Sequence, residues 1–103
     1  MHLVVEVYRI STRFPSDERF GLISQLRRAA VSVPVNIAEG RGRFGKREFR
    51  QFVSIARGSI AEVETLLALA ERLEFATTSA CEEANALCSQ VARMLTRLHQ
   101  RLR

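Results

Sequence analysis

Tryptophan is absent from this chain, aromatic residues make up only 7% of it, and proline occurs twice in 103 residues. Little of the β-branched and aromatic mixture that fills sheets is present. Cysteine is scarce too: Cys81 and Cys88 lie seven apart, on one helix face but too distant for a disulfide within a straight helix. Neither CxxC nor a paired-histidine spacing points to zinc, so both cysteines are expected as small apolar core residues in a reducing cytoplasm. No apolar run approaches a membrane span. The opening MHLVVEVYRI has too short an apolar stretch and no small-residue cleavage site, and reads as no signal peptide.

Catalytic signatures are equally thin. The two histidines, His2 and His99, have no carboxylate at a spacing that suggests a relay, and no GxSxG, HExxH or Walker sequence occurs. Glu62 with Glu64 and Glu82 with Glu83 read as solvated faces and first-turn charges. Gly40, Gly42 and Gly45 spell a literal GxGxxG, but a dinucleotide site needs a strand before it. Here the preceding stretch is helical, so the glycines are expected to end a helix. The expectation is a chain that is not an enzyme and carries no cofactor or metal.

What the chain does have is 47% hydrophobic content at helical spacing, enough for one economical core and a single domain over residues 1–103. Leu3, Val7 and Ile10 predict a short helix over about residues 2–12, although its β-branched residues also permit a strand. A turn around Pro15 follows, with Ser16 or Asp17 able to cap the next helix. Leu22, Leu26, Ala29, Val33 and Ile37 form one stripe of a second helix over about 16–42. Pro34 interrupts it, and because the stripe stays in phase a kinked continuous helix is favoured over two separate ones. Phe49, Phe52, Val53, Ala56, Ile60, Val63, Leu67 and Ala70 mark a third helix over about 46–73, widened by Leu66, Leu69 and Leu73. Gly58, mid-helix, is expected to be offset by close approach of a neighbouring helix, helped by Ser59. Thr77 or Ser79 can cap a fourth helix, whose stripe runs through Ala84, Leu87, Cys88, Val91, Leu95, Leu98 and Leu102. Short connections then predict an all-α, antiparallel up-down four-helix bundle with a short first helix and a Pro-kinked second helix.

The charge is +5 and the pI about 10.5, and the basic residues cluster. Arg41, Arg43, Lys46, Arg47, Arg50 and Arg57 surround the glycine connector, and Arg27 and Arg28 sit on the second helix. Arg93, Arg97 and Arg101 make a ridge on the last. Such ridges suit phosphates; the competing reading is a solvated face with cations near helix C-termini. Asn36 and Glu39, after Pro34, are expected to hydrogen-bond across a helix junction or a subunit contact, with Arg43 also in helical reach of Glu39.

The strings F-P-S-D-E-R-F-G-L-I-S-Q-L-R-R-A-A-V-S-V-P-V-N-I-A-E-G and E-F-R-Q-F-V-S-I-A-R-G-S-I-A-E-V-E-T-L-L resemble the four-helix bundle family named for proteins encoded in intervening sequences of large-subunit ribosomal RNA genes. The resemblance implies an antiparallel bundle assembled as a homopentamer, without catalytic activity. A related branch is the accessory protein of diversity-generating retroelements, a basic pentamer that binds nucleic acid and the reverse transcriptase. Carried over, the matching positions are Arg27, Arg28, Pro34, Asn36, Glu39, Gly40, Gly58, Ser59 and Glu62, which would shape the junction of the second and third helices. Relatives begin earlier in the first helix, so part of the bundle is expected to lie uncovered. Two functions follow as expectations. One is a self-associating basic module that binds RNA or DNA by its backbone. The other is a protein–protein scaffold or accessory subunit, with a partner such as a reverse transcriptase and no nucleic-acid role.

Overall fold

Apolar residues three and four apart become the inner faces of four helices in the computed structural model, which describes residues 1–18 and 20–103. Helix α1 spans His2–Ser11, α2 Leu22–Arg41, α3 Lys46–Arg72 and α4 Thr78–Arg101; a 3-10 turn, Ser16–Glu18, lies between α1 and α2. No strand occurs among the described residues. The chain is an all-α four-helix bundle measuring 43 × 23 × 18 Å.

The most extensive contact is between α2 and α3, and α3 in turn lies against α4; α1 touches α2 and α4 but not α3. Leu26, Ile60 and Leu67 are fully buried at the centre, with Val7, Val53, Val63 and both cysteines. Burying each large side chain stabilises the fold by roughly 1.5–3 kcal/mol. Cys81 and Cys88 are unbridged and buried, as expected, and burial pushes the Cys88 thiol up to about 12, which keeps it protonated and unreactive.

Gly40 lies against Phe49 and Phe52, whereas Ser32, two turns earlier, hydrogen-bonds Ser59 (2.8 Å). Partners of α2 therefore fall later in α3 as one moves back along α2. Helix α2 continues unbroken through Pro34. Thr77 caps α4, its hydroxyl accepting from the Ala80 N–H (3.0 Å). After α3, Glu74 takes a left-handed conformation (φ 63°) that lets the Phe75 N–H close on the Ala70 carbonyl (2.9 Å), a helix-ending geometry usually given to glycine.

Several expectations are corrected. Helix α2 begins at Leu22 behind Gly21 with no side-chain cap, so neither Ser16 nor Asp17 caps it; the Pro15 turn and the 3-10 turn take up those residues. Ser79 lies inside α4. Leu69 and Leu73 are about half exposed, so the second apolar line of α3 turns towards water beyond Leu66. Gly58 meets nothing within 4 Å, while a Cβ on Gly40 would lie 2.8 Å from both Phe49 and Phe52. The close approach expected of Gly58 belongs to Gly40, which sits inside α2 and does not end it.

Candidate nucleic-acid interface

Glycine at position 40 lets α3 start hard against the end of α2, and this places the connector and its arginines at one end of the long axis. The last turns of α4 arrive at the same end. Arg50 donates from Nε to the His99 carbonyl oxygen (3.4 Å), and the Ser54 hydroxyl meets His99 Nε2 at 3.4 Å. Arg41 shares one groove with Arg97 and Arg101. The structure thus joins two clusters that are separate in sequence, the connector and the α4 ridge. Residues 38–58 and 93–103 hold ten of the sixteen Lys and Arg but two of the eleven Asp and Glu, which makes that part +8 and the rest of the chain −3.

Charge at this end is scarcely neutralised from within. Arg43 pairs with Glu39 (3.2 Å) on the surface, a contact worth a few tenths of a kcal/mol, and its guanidinium lies 5.1 Å from the Phe52 ring centroid. Among the described residues no ion pair involves Arg41, Lys46, Arg47, Arg50, Arg93, Arg97 or Arg101. His99 is held below the ordinary imidazole value by partial desolvation and then by the Arg50, Arg57 and Arg103 cations.

Arg27 and Arg28 do not join this end. Arg27 donates from Nε to the buried Ser11 hydroxyl (2.8 Å) and stacks 4.6 Å from the Tyr8 ring centroid, which ties α2 to α1. Arg28 is exposed beside it on α2. Of the residues expected at the α2–α3 junction, Gly40 and Ser59 are there. Asn36 is one step removed: its amide donates to the Ser32 carbonyl and hydroxyl (both 2.8 Å) on its own helix, and Ser32 makes the crossing bond. Glu39, Gly58 and Glu62 are exposed, and Pro34 faces the groove shared with α4.

That groove, of about 610 Å³, has an apolar floor that includes Val33, Ile37, Val91 and Leu98, and Arg41, Arg97 and Arg101 at its rim. Sequence reasoning missed Phe44, whose side chain is fully exposed in the connector between Arg43 and Lys46. The available signal was an aromatic residue outside either apolar stripe, in an otherwise basic and glycine-rich turn. No site for a metal is formed by His, Cys, Asp or Glu among the described residues, and no described helix is long and apolar enough to cross a membrane.

The model of the 23S rRNA-intervening sequence protein family matches residues 1–97, nearly the whole bundle. The chain belongs to that family. Its membership covers both clusters of the basic end except the last arginines of α4. No curated protein matches the chain.

Proposed function

We propose that this 23S rRNA-intervening sequence family member is a non-catalytic, self-associating bundle that binds the nucleic-acid backbone through its basic end. The observation that carries the reading is the segregation of charge: Arg41, Lys46, Arg47 and Arg50 lie at the end of the bundle that Arg97 and Arg101 also reach, and residues 38–58 and 93–103 carry only two carboxylates. Cations left without internal partners release counterions from a polyanion, and the affinity gained is sequence-independent and steeply salt-dependent. Self-association rests on a second surface, where Tyr8, Phe20, Val31 and Val35 line an open depression across α1 and α2, with Phe20 and Val35 strongly exposed. A homopentamer, the state the family resemblance implies, would repeat the basic end five times and multiply weak contacts by avidity. We place the protein in the cytoplasm, where two unbridged thiols suit a reducing compartment.

Fluorescence anisotropy with labelled RNA and DNA tests the binding. The expected result is retention in low salt, with log affinity falling linearly as log salt rises; no retention of either nucleic acid in low salt overturns it. Light scattering tests the assembly, with five copies of the 11.7-kDa chain expected and a smaller mass for Val35→Glu. The scaffold reading is favoured by one feature, the apolar groove between α2 and α4, which has the character of a helix-docking cleft. Capture of a specific protein that survives neutralisation of Arg43, Arg47 and Arg50 but is lost in Leu98→Glu would select it.

A further inference from the structure

Six phenylalanines occur in the chain, and they divide by environment. Phe14 is buried and meets Phe75 with ring centroids 6.1 Å apart. Phe49 and Phe52 are half-buried and close on Gly40. Phe44 is 108% exposed relative to a reference chain, the highest value of any large apolar residue described, and it stands in the middle of the densest run of cations. Arg43 precedes it, and Lys46 and Arg47 follow across Gly45, which has open space where a side chain would be. Neither Lys46 nor Arg47 has an acidic partner among the described residues. Arg43, by contrast, is held by Glu39 and by the Phe52 face, so the base of the turn is fixed while Phe44 projects from it.

An aromatic ring presented to water amid unpaired cations has two complementary things to offer a polynucleotide. The cations take the phosphates, and the ring takes the flat face of a base. Only an unpaired base can offer that face, because in a duplex both faces are already stacked on neighbours. We infer that Phe44 is a stacking platform and that the basic end prefers single-stranded nucleic acid, or the loops and bulges of a folded RNA, over continuous duplex. The inference rests on the nucleic-acid reading given above and adds to it the class of strand.

The test uses the full chain and three 5′-labelled probes of equal length: a single-stranded RNA, a single-stranded DNA and a blunt RNA duplex. For Phe44→Ala, affinity for both single strands falls about ten-fold, within the range for loss of one base–aromatic stack, while duplex affinity stays within two-fold. The slope of log affinity against log salt is unchanged, since no cation is removed. Phe44→Trp keeps the single-strand affinity and introduces the chain's sole tryptophan, whose emission is quenched by single strands and not by duplex. An equal loss on all three probes, or no loss on any, overturns the stacking role while leaving backbone binding intact. Tryptophan emission unmoved by saturating single strand overturns it as well. If the unmodified protein binds none of the probes in low salt, the nucleic-acid reading itself falls. A loss confined to RNA, with DNA unaffected, also counts against a stack, because both strands carry the same kind of base face.

Discussion

Arginine serves opposite purposes at the two ends of this bundle. Away from the connector, Arg9 and Arg27 are held by the fold. Arg27 joins α2 to α1 through Ser11 and the Tyr8 ring, and Arg9 makes a two-pronged pair with Glu6 (2.9 and 2.6 Å), which holds the Glu6 carboxyl below the usual range. At the connector, Arg41, Lys46 and Arg47 make no ion pair among the described residues. A cation that is already paired has little left for a phosphate, because an incoming anion must first displace its partner. Net charge therefore says less about binding than the number of cations left unpaired on one surface.

The largest effect should come from breaking that contrast. Reversing Arg41, Arg47 and Arg97 together to Glu should lower affinity for a single-stranded RNA by more than about 100-fold in low salt, through lost phosphate contacts and added repulsion. Reversing Glu62, Glu64 and Glu82 to Lys should lower it not at all. Anisotropy decides, and a gain from the second triple as large as the loss from the first would show that only total charge matters. Next in size is Gly40→Ala. Its Cβ would fall 2.8 Å from Phe49 and Phe52, so one helix must shift, at about 1–3 kcal/mol, seen in chemical denaturation together with weaker binding as the connector moves. Arg27→Ala should cost about 1–2 kcal/mol of stability, from a part-buried charged hydrogen bond, yet leave RNA affinity unchanged. The reverse outcome, stability kept and binding lost, would place Arg27 in the interface after all.

Much of the bundle was readable from spacing alone. The stripe positions Leu22, Leu26, Ala29 and Val33 in α2, and Val53 through Ala70 in α3, are buried, because a repeat of threes and fours has one geometric meaning. The glycines were harder. Gly40 follows Ile37 by three and so lies in phase with its stripe, whereas Gly58 lies two residues from both Ala56 and Ile60, off the stripe. Phase alone pointed to Gly40, but GxGxxG drew it into the connector and the mid-helix position drew attention to Gly58. Leu69 and Leu73 misled for another reason: periodicity shows which residues share a face, not whether a neighbour covers it. Pairing of arginines is likewise invisible in sequence, since Ser11 and Tyr8 lie sixteen or more positions from Arg27. Gly58→Ala sharpens the point. Nothing opposes the new methyl group, so thermal stability should rise by up to about 1 kcal/mol. A loss instead would mean that a second copy covers this face, and a fall in assembly mass would accompany it.

The smallest effect, and the most direct reporter on which end binds, is the titration of His99. Partial desolvation and the Arg50, Arg57 and Arg103 charges hold its folded-state value below the ordinary imidazole value of 6.5. The unfolded chain therefore takes up the proton first as pH falls, so the neutral ring's contribution to stability is complete above that value and declines on acidification through the window beneath it. A polyanion seated among these arginines screens their charge, and the His99 titration should then move upward towards the ordinary value. The ring resonances followed by NMR, with and without a saturating single-stranded RNA, give the answer. Binding that leaves the His99 titration where it was would place the nucleic acid elsewhere on the bundle, and the contrast between the two ends would lose its functional meaning.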